Sequence, residues 1–277
     1  MAVAPKKTAP KTGSAVANYD EELAKYAQAS AKSVAHVAQG SFVGTRGGIL
    51  SFNGSPVPGN ELDVIIIDFV NENDFFSGKF DPDTPQPPIC YAFSRDPDNE
   101  EDPMRPHEKA SEPQSEACKG CEQNEWGSAD TGRGKACKNT YRLAVILASS
   151  LEGGAEGIKD AEVAYIKPPV TSGKGFAGFV KSLKGMSLPP FMVVTTVSLV
   201  PDASTQFKML FQVADGQDVG REHIPALIAK RKVVEEQIVF PYPEPGEAPA
   251  PKRGGPSKVG GRTTAKPAAK PAPRGRR

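Results

Sequence analysis

The chain has 277 residues, four cysteines and three histidines, which is long enough for one large or two small domains. Its net charge of +1 hides a split: residues 251–277 carry nine Lys/Arg and no acid, which leaves residues 1–250 at −8. No apolar run is long enough to span a membrane, the N-terminal MAVAPKKTAPKTGSAVA lacks the apolar core of a secretory signal, and four cysteines without such a signal fit metal binding better than a disulfide framework.

In chain order, residues 1–17 are Ala/Pro/Lys/Thr-rich and are expected to form a disordered arm. Residues 18–38 place Leu23, Tyr26, Ala27, Ala31, Val34 and Val37 at three- and four-residue steps, which predicts an amphipathic helix packed on the body or on a second protomer. Residues 41–53 predict two short strands around a Gly-Gly bend. ELDVIIIDFV, 61–70, predicts the clearest strand, with four successive aliphatics buried on both faces. The following NENDFFSGKF is expected to be a loop, although Phe75 and Phe76 are equally compatible with a strand that turns one ring inward and one outward. Strands are predicted at 90–95, 141–149 and 162–170. TSGKGFAGFVKSLK, 171–184, predicts a short helix with Phe176, Phe179, Val180 and Leu183 on one stripe and Thr171 or Ser172 as cap. Residues 188–215 predict a hairpin turning at PDAST, and 219–235 a closing helix with Pro225 near its first turn. From 243 onward Pro, Gly, Ala, Lys and Arg dominate, predicting a disordered basic tail.

This pattern lacks the βαβ rhythm of a parallel sheet. It predicts a mainly β protein with flanking helices (α+β), a partly closed barrel of oligonucleotide-binding (OB) type occupying 18–242, with a cysteine-bearing insertion at about 90–140.

The chemically richest stretch is that insertion. Cys118 and Cys121 stand at C-x2-C spacing, the geometry of a zinc knuckle, and Cys137 follows after a Gly/Lys/Arg loop. Cys90 or His107 supplies a fourth ligand; Cys90 is favoured because it opens a strand-like CYAFS, whereas His107 lies in a polar, Pro-flanked loop. Four protein ligands make a structural Zn2+ site with no open catalytic position. The competing readings are four unrelated free thiols or a C-x2-C redox pair.

No P-loop, H-E-x-x-H or G-x-S-x-G motif is present, and GRGK, 132–135, lies inside the cysteine loop rather than between strand and helix, so catalysis has no support in the residues. Single strands are bound by aromatic faces that stack on bases and by cations that track phosphates. Candidate groups interleave here: Phe75, Phe76, Lys79 and Phe80; then Tyr91, Phe93 and Arg95; then Trp126; then Arg133, Lys135, Lys138 and Arg142 around Cys137. For any one of these aromatics, core packing is the competing role. The basic tail adds salt-dependent affinity without sequence preference, or serves as a solubilising segment.

The strings DVIIIDFV, PPICYAFS, C-x2-C followed by NEWGS, GRGKACKN and RLAVIL resemble those of a group of bacteriophage single-stranded-DNA-binding proteins over roughly residues 40–240. The resemblance implies an OB fold with a zinc-ribbon-like insertion, Cys90, Cys118, Cys121 and Cys137 as its metal ligands, single-stranded DNA as ligand, and phage replication or recombination proteins as partners in the cytoplasm of the infected host. It implies no reaction and no membrane; an oligomer is compatible with it. Many such binders end in an acidic, partner-recruiting tail, whereas this chain ends in a basic one. The alternatives are a structural or interaction protein of phage assemblies whose tail binds nucleic acid non-specifically, and an accessory subunit of a replication or transcription enzyme.

Overall fold

The computed structural model describes residues 41–78, 86–130 and 132–243. The expected N-terminal arm, the helix at 18–38, Lys79, Phe80 and the basic tail lie outside the described residues.

One long strand organises the sheet. Strands run β1 (Ser41–Val43), β2 (Ser51–Phe52), β3 (Ser55–Pro56), β4 (Glu61–Phe75), β5 (Cys90–Ser94), β6 (Lys138–Leu147), β7 (Ala164–Ile166), β8 (Val193–Asp202) and β9 (Gln206–Asp218). Helices are α1 (Gly154–Asp160), α2 (Gly173–Gly185) and α3 (Ile224–Gln237). The main sheet is ordered β1-β7-β6-β4-β8-β9, with β5 also paired to β4. All these pairings are antiparallel except β1 with β7. β4 pairs with β6 along most of its length. Its other edge is shared: β8 takes Glu61–Val64 and β5 takes Asn71–Phe75. The sheet curls into a half-barrel flanked by the three helices.

The aliphatic run of β4 is buried on both faces, as its sequence requires. Val64 and Ile66 join Leu143, Val145 and Val197 in one core, and Ile65 and Ile67 join Ala144 and Ile146 in the other. The register with β6 steps between Ile66 and Asp68, so Ile67 is the extra residue of a bulge, which re-aims the outer half of the strand. The first core is covered by α2, whose buried Phe176, Phe179 and Leu183 recur at helical spacing. The second is covered by α3 through Leu227 and Val234 and by α1 through Ile158.

Several expectations need correction. Asn71–Phe75 continue β4 rather than forming a loop, because Glu72, Asn73 and Asp74 find partners inside the fold while ladders on both edges hold the backbone. The predicted strand at 162–170 is confined to Ala164–Ile166. The glycine-rich segment before it contains α1, whose C-terminal carbonyl end is met by Lys230: its Nζ donates to Lys159 O at 2.9 Å and Ala161 O at 2.6 Å. Ser172 precedes α2 but makes no side-chain cap; its hydroxyl instead accepts the Met209 N–H at 2.8 Å and ties the helix start to β9.

Phe176 is fully buried, with ring centroids of Phe69, Tyr141 and Phe211 at 5.2, 4.9 and 5.0 Å. Phe176→Ala should therefore destabilise the protein by about 3–5 kcal/mol in urea unfolding, the range of buried aromatic truncations.

Candidate nucleic-acid interface and cysteine cavity

Cross-strand partners share a face, so the outer half of β4 separates two chemistries. Asn71, Asn73 and Phe75 lie opposite Tyr141 and Asn139 on β6 and Ser94, Ala92 and Cys90 on β5. Glu72 and Asp74 lie on the other face with Phe93 and Tyr91 of β5.

The Glu72 face is a largely buried ion network, with Lys167 at its partly exposed edge. Arg142 and Glu72 have no side-chain exposure and form a bidentate pair, Nε to Oε2 at 2.9 Å and Nη2 to Oε1 at 3.0 Å. The guanidinium lies between the rings of Phe93 and Phe240, at 4.3 and 4.2 Å, and Nη1 donates to the carbonyls of Ile238 and Phe240 at 3.2 and 2.8 Å. Lys167 donates to Glu72 at 3.2 Å, to Asp74, and to the Tyr242 hydroxyl at 2.9 Å, while that hydroxyl donates to Glu72. Burial alone would raise the Glu72 carboxyl, but the Lys167 and Arg142 charges outweigh it and hold it well below the usual range. Asp74 goes the other way: burial and the Glu72 charge push it up, against the pull of Lys167.

Four of the expected nucleic-acid contacts lie on this side of the sheet and have partners within the fold. Arg142 is consumed in the interior. Tyr91 is 2% exposed and stacks on His107 at 5.1 Å. Phe93 packs on Arg142. Arg95 is partly exposed, but its guanidinium is bound in bidentate fashion by Asp68, at 2.9 and 2.6 Å, with Glu235 at 3.7 Å. Their sequence clustering reflects a covered face of the sheet.

The opposite face carries the cysteines. Cys90, Cys118, Cys121 and Cys137 all line one cavity of 20 Å³, room for about one water-sized sphere, and none is in a disulfide. Phe75 lines the same cavity, whereas His107 does not. His107 Nδ1 accepts the Lys109 N–H at 3.1 Å. The knuckle turn closes through Gly120 at φ +79°, a conformation glycine adopts without strain. Cys118 N–H donates to Met104 O at 2.8 Å, and Cys137 N–H to Gln123 O at 2.7 Å. Among the described residues no group of three or more His, Cys, Asp or Glu stands in a closed coordination arrangement; the thiols share a space without forming a cage. Burial, with the neighbouring cysteines adding to it, pushes Cys118 up to about 11 and Cys137 up to about 12. That is opposite to the lowered value of a redox-active thiol. Four thiols beside one small space are the soft donor set that zinc takes, and a bound cation would reverse those shifts.

Beside the cavity, a cleft of 520 Å³ runs between the sheet, the cysteine insertion and the first turn of α2. Its wall includes Asn71, Asn139 and Tyr141 from the sheet, Lys119, Asn124 and Lys135 from the insertion, and Gly173 and Lys174 from the helix start. Asp98 and Met104 also contribute. Tyr141 is half-buried, edge-on to Phe176 at 4.9 Å. Trp126 stands at the surface of the insertion, 78% exposed, with the Lys135 ammonium 5.8 Å from its ring centre. Of the other expected contacts, Phe76 is 39% exposed just beyond β4, Arg133 is exposed, and Lys138 is exposed with its ammonium on Lys135 O at 3.1 Å. The sequence reading missed Tyr141, Lys119 and Lys174. The signal for Lys174 was the Gly-Lys-Gly string at a helix start, where backbone N–H groups and the helix dipole favour anions.

No family model, no curated protein and no solved structure matches this chain. Among the described residues, no helix is long and apolar enough to cross a membrane.

Arg142→Ala should destabilise the fold by about 3–5 kcal/mol, because it removes the bidentate partner of a buried carboxylate and leaves Glu72 with Lys167 and Tyr242 alone. Arg95→Ala, at a partly exposed pair, should cost about 1 kcal/mol or less in the same chemical-denaturation series.

Proposed function

We propose that this protein binds single-stranded DNA, without catalysis, in phage replication or recombination, through an OB-like half-barrel whose insertion is held by a structural zinc ion. The observation that carries this reading is the cleft: the half-buried Tyr141 in its wall, three lysines from two separate elements, a helix N-terminus, and the exposed Trp126 beside Lys135. These are the groups a flexible polyanion with stackable bases requires. The path β7-β6-β4-β8-β9, with α2 between the third and fourth strands in sequence, supports an OB-type barrel opened between β7 and β9. In that family, the strand 2–3 face and the loop between strands 1 and 2 contact oligonucleotides. Here the corresponding loop is the segment from β4 to β6, which holds the cysteines and one side of the cleft.

Zinc has a clear structural role in this reading. Residues 95–137 contain few buried apolar side chains, chiefly Met104 and Ala110, so the insertion has almost no core of its own. Cys90 and Cys137, beside β4 and β6, and Cys118 and Cys121, in the insertion, would fasten it to the sheet. The basic tail would add sequence-independent affinity.

Fluorescence anisotropy with labelled single- and double-stranded oligonucleotides tests the function. A chain ending at Pro243 should retain a preference for single strands. Loss of all binding with the tail, or no strand preference, favours instead an interaction protein whose tail binds nucleic acid non-specifically. Trp126→Ala should weaken single-strand binding by a factor of roughly 5–150, corresponding to ~1–3 kcal/mol per stacked base. Lys135→Ala should lower the slope of log K against log salt by about 0.7, the value of one phosphate contact on a single strand. The purified chain should carry one zinc per protein, and chelation should lower its melting temperature.

A further inference from the structure

The cysteine cavity and the cleft share a wall: Asn73, Cys118 and Asn124 line both. Two short paths cross it. On the first, the Asn124 amide donates to Cys118 O at 2.9 Å, and Asn124 Oδ1 accepts the Lys135 ammonium at 3.2 Å, beside Trp126. On the second, Asn73 shares the wall with Cys118, and its Oδ1 accepts the Asn139 amide at 2.6 Å. The turn carrying Asn124 is fixed by the cysteines at both ends: Asn124 N–H donates to Cys121 O at 2.9 Å, and Gln123 O accepts the Cys137 N–H. The lysine that faces the cleft is therefore aimed by an amide whose own position is set by the knuckle.

We propose that the cysteine site and the cleft form one thermodynamic unit, in which a divalent metal held by the cysteines and a single strand held in the cleft strengthen each other's binding through Asn124 and Lys135. This rests on the zinc and single-strand reading above and adds its regulation. A metal ion fixes Cys118 and Cys121 and with them the Asn124 turn, so the Lys135 ammonium meets a phosphate without further ordering. A strand that engages Lys135 restrains the same turn and opposes opening of the knuckle. Linkage makes the two effects equal in size. Metal supply and thiol oxidation would then set strand affinity as well as fold stability. Asn124 is a positioning residue, since it acts through Lys135 and the Cys118 backbone.

The test uses the full zinc-loaded chain and a chromophoric chelator, with and without a saturating thymine oligonucleotide of about 15 nucleotides. Saturation is verified by anisotropy in the same samples. Read at equilibrium from the share of zinc the chelator takes, the oligonucleotide should tighten zinc binding at least about fivefold, the lower end of typical coupling between sites. In Asn124→Ala and Lys135→Met, zinc should still load, but the chelator should take the same share of it at equilibrium with and without oligonucleotide. Lys135→Met leaves the Asn124 bond to Cys118 intact, so it reports on coupling even if the Asn124 variant loads poorly. An unchanged share taken from the wild type at saturation overturns the coupling and leaves the binding reading standing. Full coupling in both variants overturns the proposed path. An oligonucleotide that fails to bind, or a chain that holds no zinc, overturns the reading beneath and the coupling with it.

Discussion

The buried pairing of Glu72 with Arg142 is the constraint on which the rest of the structure depends. It allows a polar stretch, Asn-Glu-Asn-Asp, to continue β4 beyond the aliphatic core and still lie inside the protein. Removing two charges from water is expensive, and their attraction offsets the cost only when geometry and additional hydrogen bonds are good. Here both carboxylate oxygens are engaged, Lys167 and Tyr242 bond Glu72 as well, and two carbonyls of residues 238–240 take up a guanidinium nitrogen. Such a network contributes less to net stability than an apolar core of equal volume. What it specifies is register: a one-residue slip of β4 would move Glu72 to the Asn71–Tyr141 face and leave Arg142 unpaired.

Register fixes the opposite face in turn. With Glu72 held on one side, Asn71, Asn73 and Phe75 must point to the other, where they meet Asn139, Tyr141 and Cys90. The cleft and the cysteine cavity are thus the reverse side of the ion network, built from alternate residues of the same strands. The segment 238–242 completes the covered side, since its carbonyls and the Tyr242 hydroxyl close around Arg142 and Glu72, and the Tyr242 ring packs on Tyr91 at 5.1 Å.

Local pattern made most of the core legible in the sequence. The Val64–Ile67 run could only be a strand buried on both faces, and Phe176, Phe179 and Leu183 could only form one helical stripe. The C-x2-C spacing with two further cysteines marked a shared site 28 residues after the first of them, because a knuckle is a local feature. Long-range pairing was not legible. Nothing near Arg142 in sequence announces Glu72, 70 residues away, so Arg142 looked like a surface cation beside Lys135 and Lys138. Tyr91, Phe93 and Arg95 gave the same impression, because a strand covered by a returning C-terminal segment carries polar tips. α1 was hidden by three glycines in 153–160, which local propensity places in a loop; packing against α3 overrides it. The cleft lysines Lys119 and Lys174 lie 55 residues apart and become neighbours only through the fold.

The charge distribution follows from the same geometry. Residues 1–250 sum to −8, yet the cleft draws lysines from two elements. At about 0.1 M salt, charges on one face act over roughly 10 Å, so a local cationic surface survives on an acidic body. In the 96–102 loop, Asp98 joins the cleft wall and Glu100 holds Lys119 at 3.0 Å. An exposed pair of this kind is weak and gives way to a phosphate at little cost. Lys135 differs, because its partner Asn124 is neutral: it keeps its whole charge for a ligand while its position is held. Of the cleft lysines, Lys119 lies inside the cysteine knuckle and Lys135 is joined to it through Asn124, with the exposed Trp126 ring beside the Lys135 ammonium.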